Sequence, residues 1–450
     1  MNKVVRNKNI NPVIAVLGVT GAGKSKLAVE IAEKLGTEVI SADSMQVYKH
    51  LDIITNKVTK EEIRSVKHHL ISCVDPLKQF TVIDFRNAAL PIVDTILNAG
   101  KSPIIVGGTN YYVESVLWNQ LISDESDALE RKRGISDCKV GESKLWKIDG
   151  FEDTPFTEET TKELSNEFLI KLLESVDEKS ASVLHPNDRR KILRALQVYQ
   201  LNGRPMSDIL VEQRSMGGSD LGGPLRFQNA IVFWVQCNQV ELEKRLSSRT
   251  DQMMAKGLAN ELLDFYERYT QPQLEVGRDI DYTRGIYQAI GYKEFHDWLN
   301  LAEDERETQK GEELLRKGVE QLNLVSLRYT KKQIKWIRKR FLQEPTREMP
   351  PVYALDASDP DKWNEEVRDR AFSILDAHLK GEPSPVAPLP VEESKREERK
   401  AFRCSTCSKV LIGERQWVAH TKSRVHQKLK AKQRKKDRKG DPEEKTQIEK

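Results

Sequence analysis

Residues Val13 to Gly36 read VIAVLGVTGAGKSKLAVEIAEKLG, and no other stretch limits the fold so tightly. Gly18, Gly23, Lys24 and Ser25 satisfy the spacing GxxxxGK[ST] between an apolar strand over 13–19 and an amphipathic helix over 24–35. Glycines let successive backbone N–H groups turn inward, and the positive end of the following helix strengthens the field they make. Lys24 adds a mobile cation and Ser25 a hydroxyl that can coordinate Mg²⁺. This is a cradle for phosphate oxygens. In open parallel sheets such ligands bind beyond the carboxyl ends of the strands.

Strand and helix patterns alternate as such a sheet requires. Val39 and Ile40 form a short strand running into Ser41 and Asp43, residues 80–98 read as a helix, and SPIIVGG at 102–108 reads as a buried strand ending in glycines. AIVFWVQ at 230–236 is another buried strand, with helical stretches over 186–201, 238–269 and 308–342. The expected fold class is α/β: a P-loop nucleoside-triphosphatase-like parallel sheet with a helical insertion and a small C-terminal module. The core is expected at 12–123 and 181–345, interrupted by a charged helical insertion or lid at 124–180. Residues 346–400 read as an extension and linker, because 381–395 has four prolines and no core pattern. A finger at 401–430 and a charged tail at 431–450 follow.

A nucleotide hydrolase on this loop closes a buried strand with an acid that holds Mg²⁺ and positions water. Here the candidate strand ends Gly107-Gly108-Thr109, and the acid stands instead in ISADSMQVY, as Asp43. A carboxylate beside bound phosphates serves as general base toward a nucleophile aimed at phosphorus or at carbon, or it caps a turn or supports Mg²⁺. On residue type alone a small-molecule kinase stays open. An ATPase fits poorly.

The length of 450 residues accommodates more than one domain. No apolar run approaches bilayer length, and the opening MNKVVRNKNINP has no apolar signal core, so neither a membrane span nor secretion is expected. Cys73, Cys138 and Cys237 have no evident partners, as in a reducing compartment. The formal net charge of +4 conceals an asymmetry: residues 399–439 hold fifteen Lys or Arg against Glu414 and Asp437, while residues 1–398 sum to −7. So concentrated a positive field calls for nucleic acid.

Cys404-x2-Cys407, then twelve residues to His420 and five more to His426, has zinc-ligand spacing. Two thiolates on a hairpin and two imidazoles on a helix meet around one structural Zn²⁺. Residues six apart lie only roughly on one side of a helix, so the helix is expected to deform or widen near its end. Phe402, Trp417 and Val418 supply the small core. One such module reads about 3 base pairs, too few to specify a DNA site. The run KLKAKQRKKDRK at 428–439 adds phosphate attraction, and it also has the composition of a nuclear import signal.

In combination these stretches resemble the tRNA dimethylallyltransferase family. GVTGAGKSKLA at 18–28, SADSMQVY at 41–48, VGGTNYY at 106–112 and HPNDRRKILRALQVY at 185–199 carry the resemblance. RLSSRTDQMMAKGL at 245–258, GIYQAIGYKEF at 285–295 and the closing RYTKKQIKWIRKRF at 328–341 support it, so it spans about residues 12–345. The added finger resembles the eukaryotic branch. Val19 stands where the family has proline, and Thr330 and Lys331 depart from its closing motif, without touching the chemistry.

The resemblance implies transfer of a dimethylallyl group from dimethylallyl diphosphate to N6 of adenosine 37, beside the anticodon, in tRNAs with A36. It implies that Thr20, Gly21, Ala22, Gly23, Lys24 and Ser25 hold the diphosphate, with Ser25 on Mg²⁺. Asp43 then takes the N6 proton, Thr109 faces the reacting centre and Arg249 braces the leaving diphosphate. Ser44, Met45 and Gln46 are expected on the target adenosine and its neighbours. His185, Asp188, Arg189, Arg190, Arg194, Lys293, Arg328, Lys332 and Arg338 are expected on tRNA. From residue type alone, Arg189, Arg190 and Arg194 read equally as solvated surface, and Trp118, Trp146, Trp298 and Trp336 as core or interface. The expected partners are the tRNA anticodon stem-loop, gripped by insertion, finger and tail, and the allylic donor. The expected form is a cytoplasmic monomer, with mitochondrial and nuclear pools open.

Overall fold

The computed structural model describes residues 11–119, 148, 151, 155–157, 160–216, 218–219, 222–343, 347–392 and 400–438. Residues 124–147 of the expected insertion, with Cys138 and Trp146, lie outside them, as does Lys439. The chain forms two compact units, one of residues 1–119 with 223–393, the other of residues 120–222 with 394–450.

In the first unit six parallel strands form one sheet in the order β3-β2-β4-β1-β5-β6. These are β1 Val13–Gly18, β2 Val39–Ser41, β3 His68–His69, β4 Ile104–Val106, β5 Ala230–Gln236 and β6 Val352–Asp356. The central strand β1 sets Ile14 between Ile104 and Ile231, and Val16 between Val106 and Phe233. It is apolar throughout because both faces are covered. Ile14 and Val16 pack with Leu27, Ala28 and Ile31 of α1 Lys24–Leu35. Val13, Ala15 and Leu17 pack on the other face with Phe85, Ala89 and Val93 of α2 Val82–Asn98 and Val113 and Leu117 of α3 Asn110–Leu117. Further along the chain come α4 Gln239–Ala255, α5 Gln309–Ile337 and α6 Arg370–Lys380. No helix among the described residues is long and apolar enough to cross a membrane.

Residues 347–392 are not a linker. β6 pairs with β5, Val352 beside Val232, and Leu355, Trp363, Val367 and Ile374 join the core around α1. The proline-rich stretch lies along this unit as a strap: Leu389 N–H donates to Val352 O at 2.7 Å and Glu392 N–H to Leu342 O at 2.6 Å. Prolines suit a strap, which needs few backbone donors. Residues 181–222, expected with the core, belong to the second unit. There Ile192, Leu193 and Leu196 of helix Arg189–Asn202 pack on Leu169 and Leu173 of helix Asn166–Val176. The apolar face of a helix goes where an apolar partner is, and the insertion supplies it.

Candidate active site and metal centre

The loop between β1 and α1 turns at Gly23, whose φ is +94°. A Cβ there would lie 2.6 Å from the ring of Trp363, so glycine is required by conformation and by space together. Lys24 is buried, and its Nζ donates to Val19 O at 2.7 Å. Burial draws its pKa down to about 8; Asp43 opposes this, and Arg249 pushes in the same direction as burial. Arg249, on α4, is lowered to about 10 by desolvation, again with Asp43 opposing. Two cations and one carboxylate therefore share a single poorly solvated field. Ser25, the second residue of α1, is exposed.

Asp43 follows β2. Its Oδ1 accepts the N–H groups of Met45 at 2.9 Å and Gln46 at 3.4 Å, which fixes the carboxylate plane. Oδ2 faces the turn after β4, where a Cβ built on Gly108 would lie 3.4 Å from it. Gly107 allows this approach: a Cβ there would come within 2.0 Å of Ala42 O. Thr109 heads α3, and its Oγ1 accepts Ser44 N–H at 2.9 Å and donates to Ser44 Oγ at 3.1 Å. The Gln46 amide is engaged in the fold, donating to Thr55 O at 3.2 Å and Asn56 O at 3.0 Å while accepting from Ser41 Oγ at 3.2 Å. The structure thus brings Thr20 to Ser25, Asp43 to Gln46, Thr109 and Arg249 to one end of the sheet.

Two residues of α5 enter this site that sequence reasoning missed. Gln333, buried, accepts Thr20 N–H on Oε1 at 3.1 Å and donates from Nε2 to Gly108 O at 3.0 Å. Tyr329 brings its hydroxyl 3.5 Å from the same carbonyl, and burial, with Asp43 nearby, pushes its pKa up to about 12. Nothing in the sequence sets either apart from other tyrosines and glutamines of an amphipathic helix.

The residues expected on tRNA are dispersed. Arg328, Lys332 and Arg338 are exposed along α5 and the turn after it, and Lys293 borders a cavity of about 460 Å³. His185, Asp188, Arg189, Arg190 and Arg194 lie in the second unit. Arg189 is not solvated surface: its guanidinium donates to Leu164 O at 2.8 Å, to Asn166 Oδ1 at 3.0 Å and to Thr161 O. Asp188 pairs with Lys191, Arg190 is exposed and Arg194 half-buried. His185 Nε2 lies 3.0 Å from Val410 O of the C-terminal module. Trp118 and Trp298 are core, whereas Trp336 is 37% exposed.

In that module β7 Ala401–Cys404 pairs antiparallel with β8 Lys409–Ile412. The expected helix deformation is a full break: one helix, Glu414–Lys422, ends at Ser423, and a second runs Arg424–Arg438. His420 sits on the first and His426 on the second, which solves the six-residue spacing. The second helix continues through most of the basic run expected to be a tail. One ligand atom each from Cys404, Cys407, His420 and His426 lies within 4.8 Å of the others. His426 Nδ1 is 3.6 Å and 3.4 Å from the two sulfurs, and His420 Nε2 is buried without a hydrogen-bond partner. A buried orphan nitrogen facing two thiols and an imidazole fits a zinc ion. Phe402 and Trp417 stack beside it at 5.5 Å.

Over residues 46–340 the chain matches the family described as IPP transferase, and over 401–427 one described as zinc-finger double-stranded RNA-binding. The human tRNA dimethylallyltransferase is 41% identical over 418 residues, 92% of this chain and 85% of its own. That of Schizosaccharomyces pombe is 31% identical over 443 residues, 93% and 94% of the two chains. A solved structure of a eukaryotic dimethylallyltransferase acting on tRNA aligns with a TM-score of 0.74 at 28% identity, over 95% of this chain and 99% of that one. With the phosphate loop, the displaced acid and the zinc-binding module all in place, the chain belongs to the IPP transferase family, the tRNA dimethylallyltransferases, and matches its eukaryotic members.

Proposed function

We propose that the protein transfers the dimethylallyl group of dimethylallyl diphosphate to N6 of adenosine 37 in tRNAs with A36. The observation that carries this reading is Asp43 Oδ2, left free by the turn that fixes Oδ1 and lying, with Thr20 Oγ1, close to Gly108. The N6 lone pair is delocalised into the ring, so the amine is a weak nucleophile. As the N6–C1 bond forms, the C1–O bond breaks, Asp43 accepts the N6 proton and the electron pair leaves on the diphosphate. Loop amides of Gly21, Gly23, Lys24 and Ser25, with the Lys24 and Arg249 side chains, stabilise the charge that collects there, while the Thr20 and Ala22 amides are held within the fold by Gln333 and the Val19 carbonyl. The exposed Ser25 hydroxyl would help hold Mg²⁺, which would supply further neutralisation of that charge. Thr109 holds Ser44 and shapes the floor under the target base, which must leave its stack to enter. Anticodon-loop bases already sit in single-stranded RNA, which lowers that cost. The finger and the basic helix after it supply phosphate-backbone affinity.

Incubating the full chain with labelled dimethylallyl diphosphate, Mg²⁺ and tRNA bearing A36-A37 is expected to give labelled N6-prenyladenosine. Folded protein that yields none overturns the reading. Asp43→Asn is expected to lower transfer by about 10³-fold or more, within the range general bases contribute, with tRNA affinity nearly unchanged. An equal loss of tRNA binding would make Asp43 a recognition residue instead.

A further inference from the structure

Gln333 is 3% exposed, and its amide faces inward from α5 to join two segments far apart in the sequence. Its Oε1 holds the Thr20 amide at the entry of the phosphate loop, and its Nε2 holds the Gly108 carbonyl, one residue before Thr109. Those segments meet close to Asp43 Oδ2. A Cβ at Gly108 would stand 2.9 Å from Gln333 Nε2, 3.4 Å from Asp43 Oδ2 and 4.0 Å from Thr20 Oγ1. On the opposite side of the same turns of α5, Arg328, Lys331, Lys332 and Lys335 are exposed. One helix therefore presents cations outward and a single bidentate amide inward.

We propose that Gln333 is a positioning residue for the transfer reaction, setting the gap between the donor loop and the Thr109 turn and tying that gap to the seat of the basic helix. The assignment rests on the transfer reading above. Both hydrogen bonds are needed because each fixes a different wall. With only one, the loop and the turn move independently, and a misplacement of about 1 Å costs on the order of a hundredfold in rate. The outward cations are where RNA phosphates attract α5, so RNA binding and donor geometry act through one rigid element. By thermodynamic reciprocity, donor then strengthens RNA binding as much as RNA strengthens donor binding.

The test compares Gln333→Met, which keeps the length and apolar bulk, with Gln333→Glu in the full chain. For Gln333→Met the expected result is a melting temperature within about 4 °C of wild type. Its tRNA affinity should stay nearly unchanged, while kcat falls about ten- to a hundredfold and the donor KM rises. Gln333→Glu retains the acceptor for Thr20 but places a carboxylate beside Asp43. With the donor to Gly108 lost and the acceptor for Thr20 kept, its kcat is expected to fall as in Gln333→Met with a smaller rise in donor KM, a split that a merely structural tie would not produce. Wild-type kcat and KM in Gln333→Met, or a loss matching its fraction unfolded, would overturn the proposal.

A second measurement keeps the two readings apart: calorimetric binding of inorganic diphosphate with Mg²⁺ to wild type and to Gln333→Met. The variant is expected to bind about tenfold more weakly, as when a binding loop loses its preorganisation. If wild type binds diphosphate but prenylates no tRNA, the proposed function fails, and this comparison still decides Gln333. Equal binding by both proteins, or none by either, overturns the positioning role.

Discussion

At neutral pH Lys24 carries its charge inside the protein, with the Val19 carbonyl as its hydrogen-bond partner. Burial lowers its folded pKa from 10.5 to about 8, so holding the charge costs about 3 kcal/mol. Below pH 8 that cost is present in full. As pH rises from 8 to 10.5 the folded form gives up its proton before the unfolded one, and stability rises with pH. Lys24→Met is therefore expected to stabilise the fold at pH 7 by about 1–3 kcal/mol, the lower figure allowing for the lost hydrogen bond to Val19. The gain should shrink toward pH 10 in denaturant melts, and the variant should transfer no prenyl group. Lys24 and Asp43 were both legible from sequence because a phosphate loop dictates one and the missing strand-end acid draws attention to the other. Gln333 was not: a buried amide looks like any helix glutamine until its two partners are known.

The loop, the strand β5 and α3 each depend on elements that arrive later in the chain. Trp363, beyond β6, lies against Gly23, donates from Nε1 to the Glu30 carboxylate at 3.0 Å and 3.2 Å, and carries Lys26 Nζ over its ring at 4.4 Å. Trp363→Ala is expected to cost about 3–5 kcal/mol in denaturant unfolding, as for other buried tryptophans. It should also raise the donor KM, because the ring buttresses the back of the loop. A merely peripheral helix would show neither effect. From sequence the segment reads as an extension because β6, VYALD, is too short to show a period and a double proline precedes it. What makes it a strand is the open edge of β5, a feature of the sheet and not of those five residues. Glu114 of α3 makes the same point. It is 2% exposed and takes a bidentate grip from Arg340 at 2.6–3.1 Å with Trp336 Nε1 at 3.0 Å, locking α3 to the end of α5. An ion pair buried this deeply is costly to break, at about 3–5 kcal/mol.

Across the molecule the charge is divided: fifteen Lys or Arg against two acids over residues 399–439, and a net of −7 before them. A chain ending at residue 398 is expected to lose most tRNA affinity at low salt. Its plot of log K against log salt should be shallower, by about 0.7–0.9 for each phosphate contact given up, with kcat at saturating tRNA within about twofold. Filter binding from low to physiological salt measures this, and an unchanged affinity at low salt would refute the grip. A zinc-selective chelator, with Mg²⁺ kept in excess, should also weaken tRNA binding while sparing kcat at saturating tRNA, since two short strands and a few aromatics fold around a metal and not by themselves. The sequence by itself determined the phosphate loop, the zinc ligands, the alternation of strands and helices and the charge division, because each is set by local spacing or composition. Tertiary structure alone decided that 347–392 completes the sheet, that 181–222 packs with the insertion, that the expected deformation of the finger helix is a full break, and that Gln333 reaches the site. These depend on which apolar face or unpaired polar group lies opposite, and partners distant along the chain become neighbours only once it has folded.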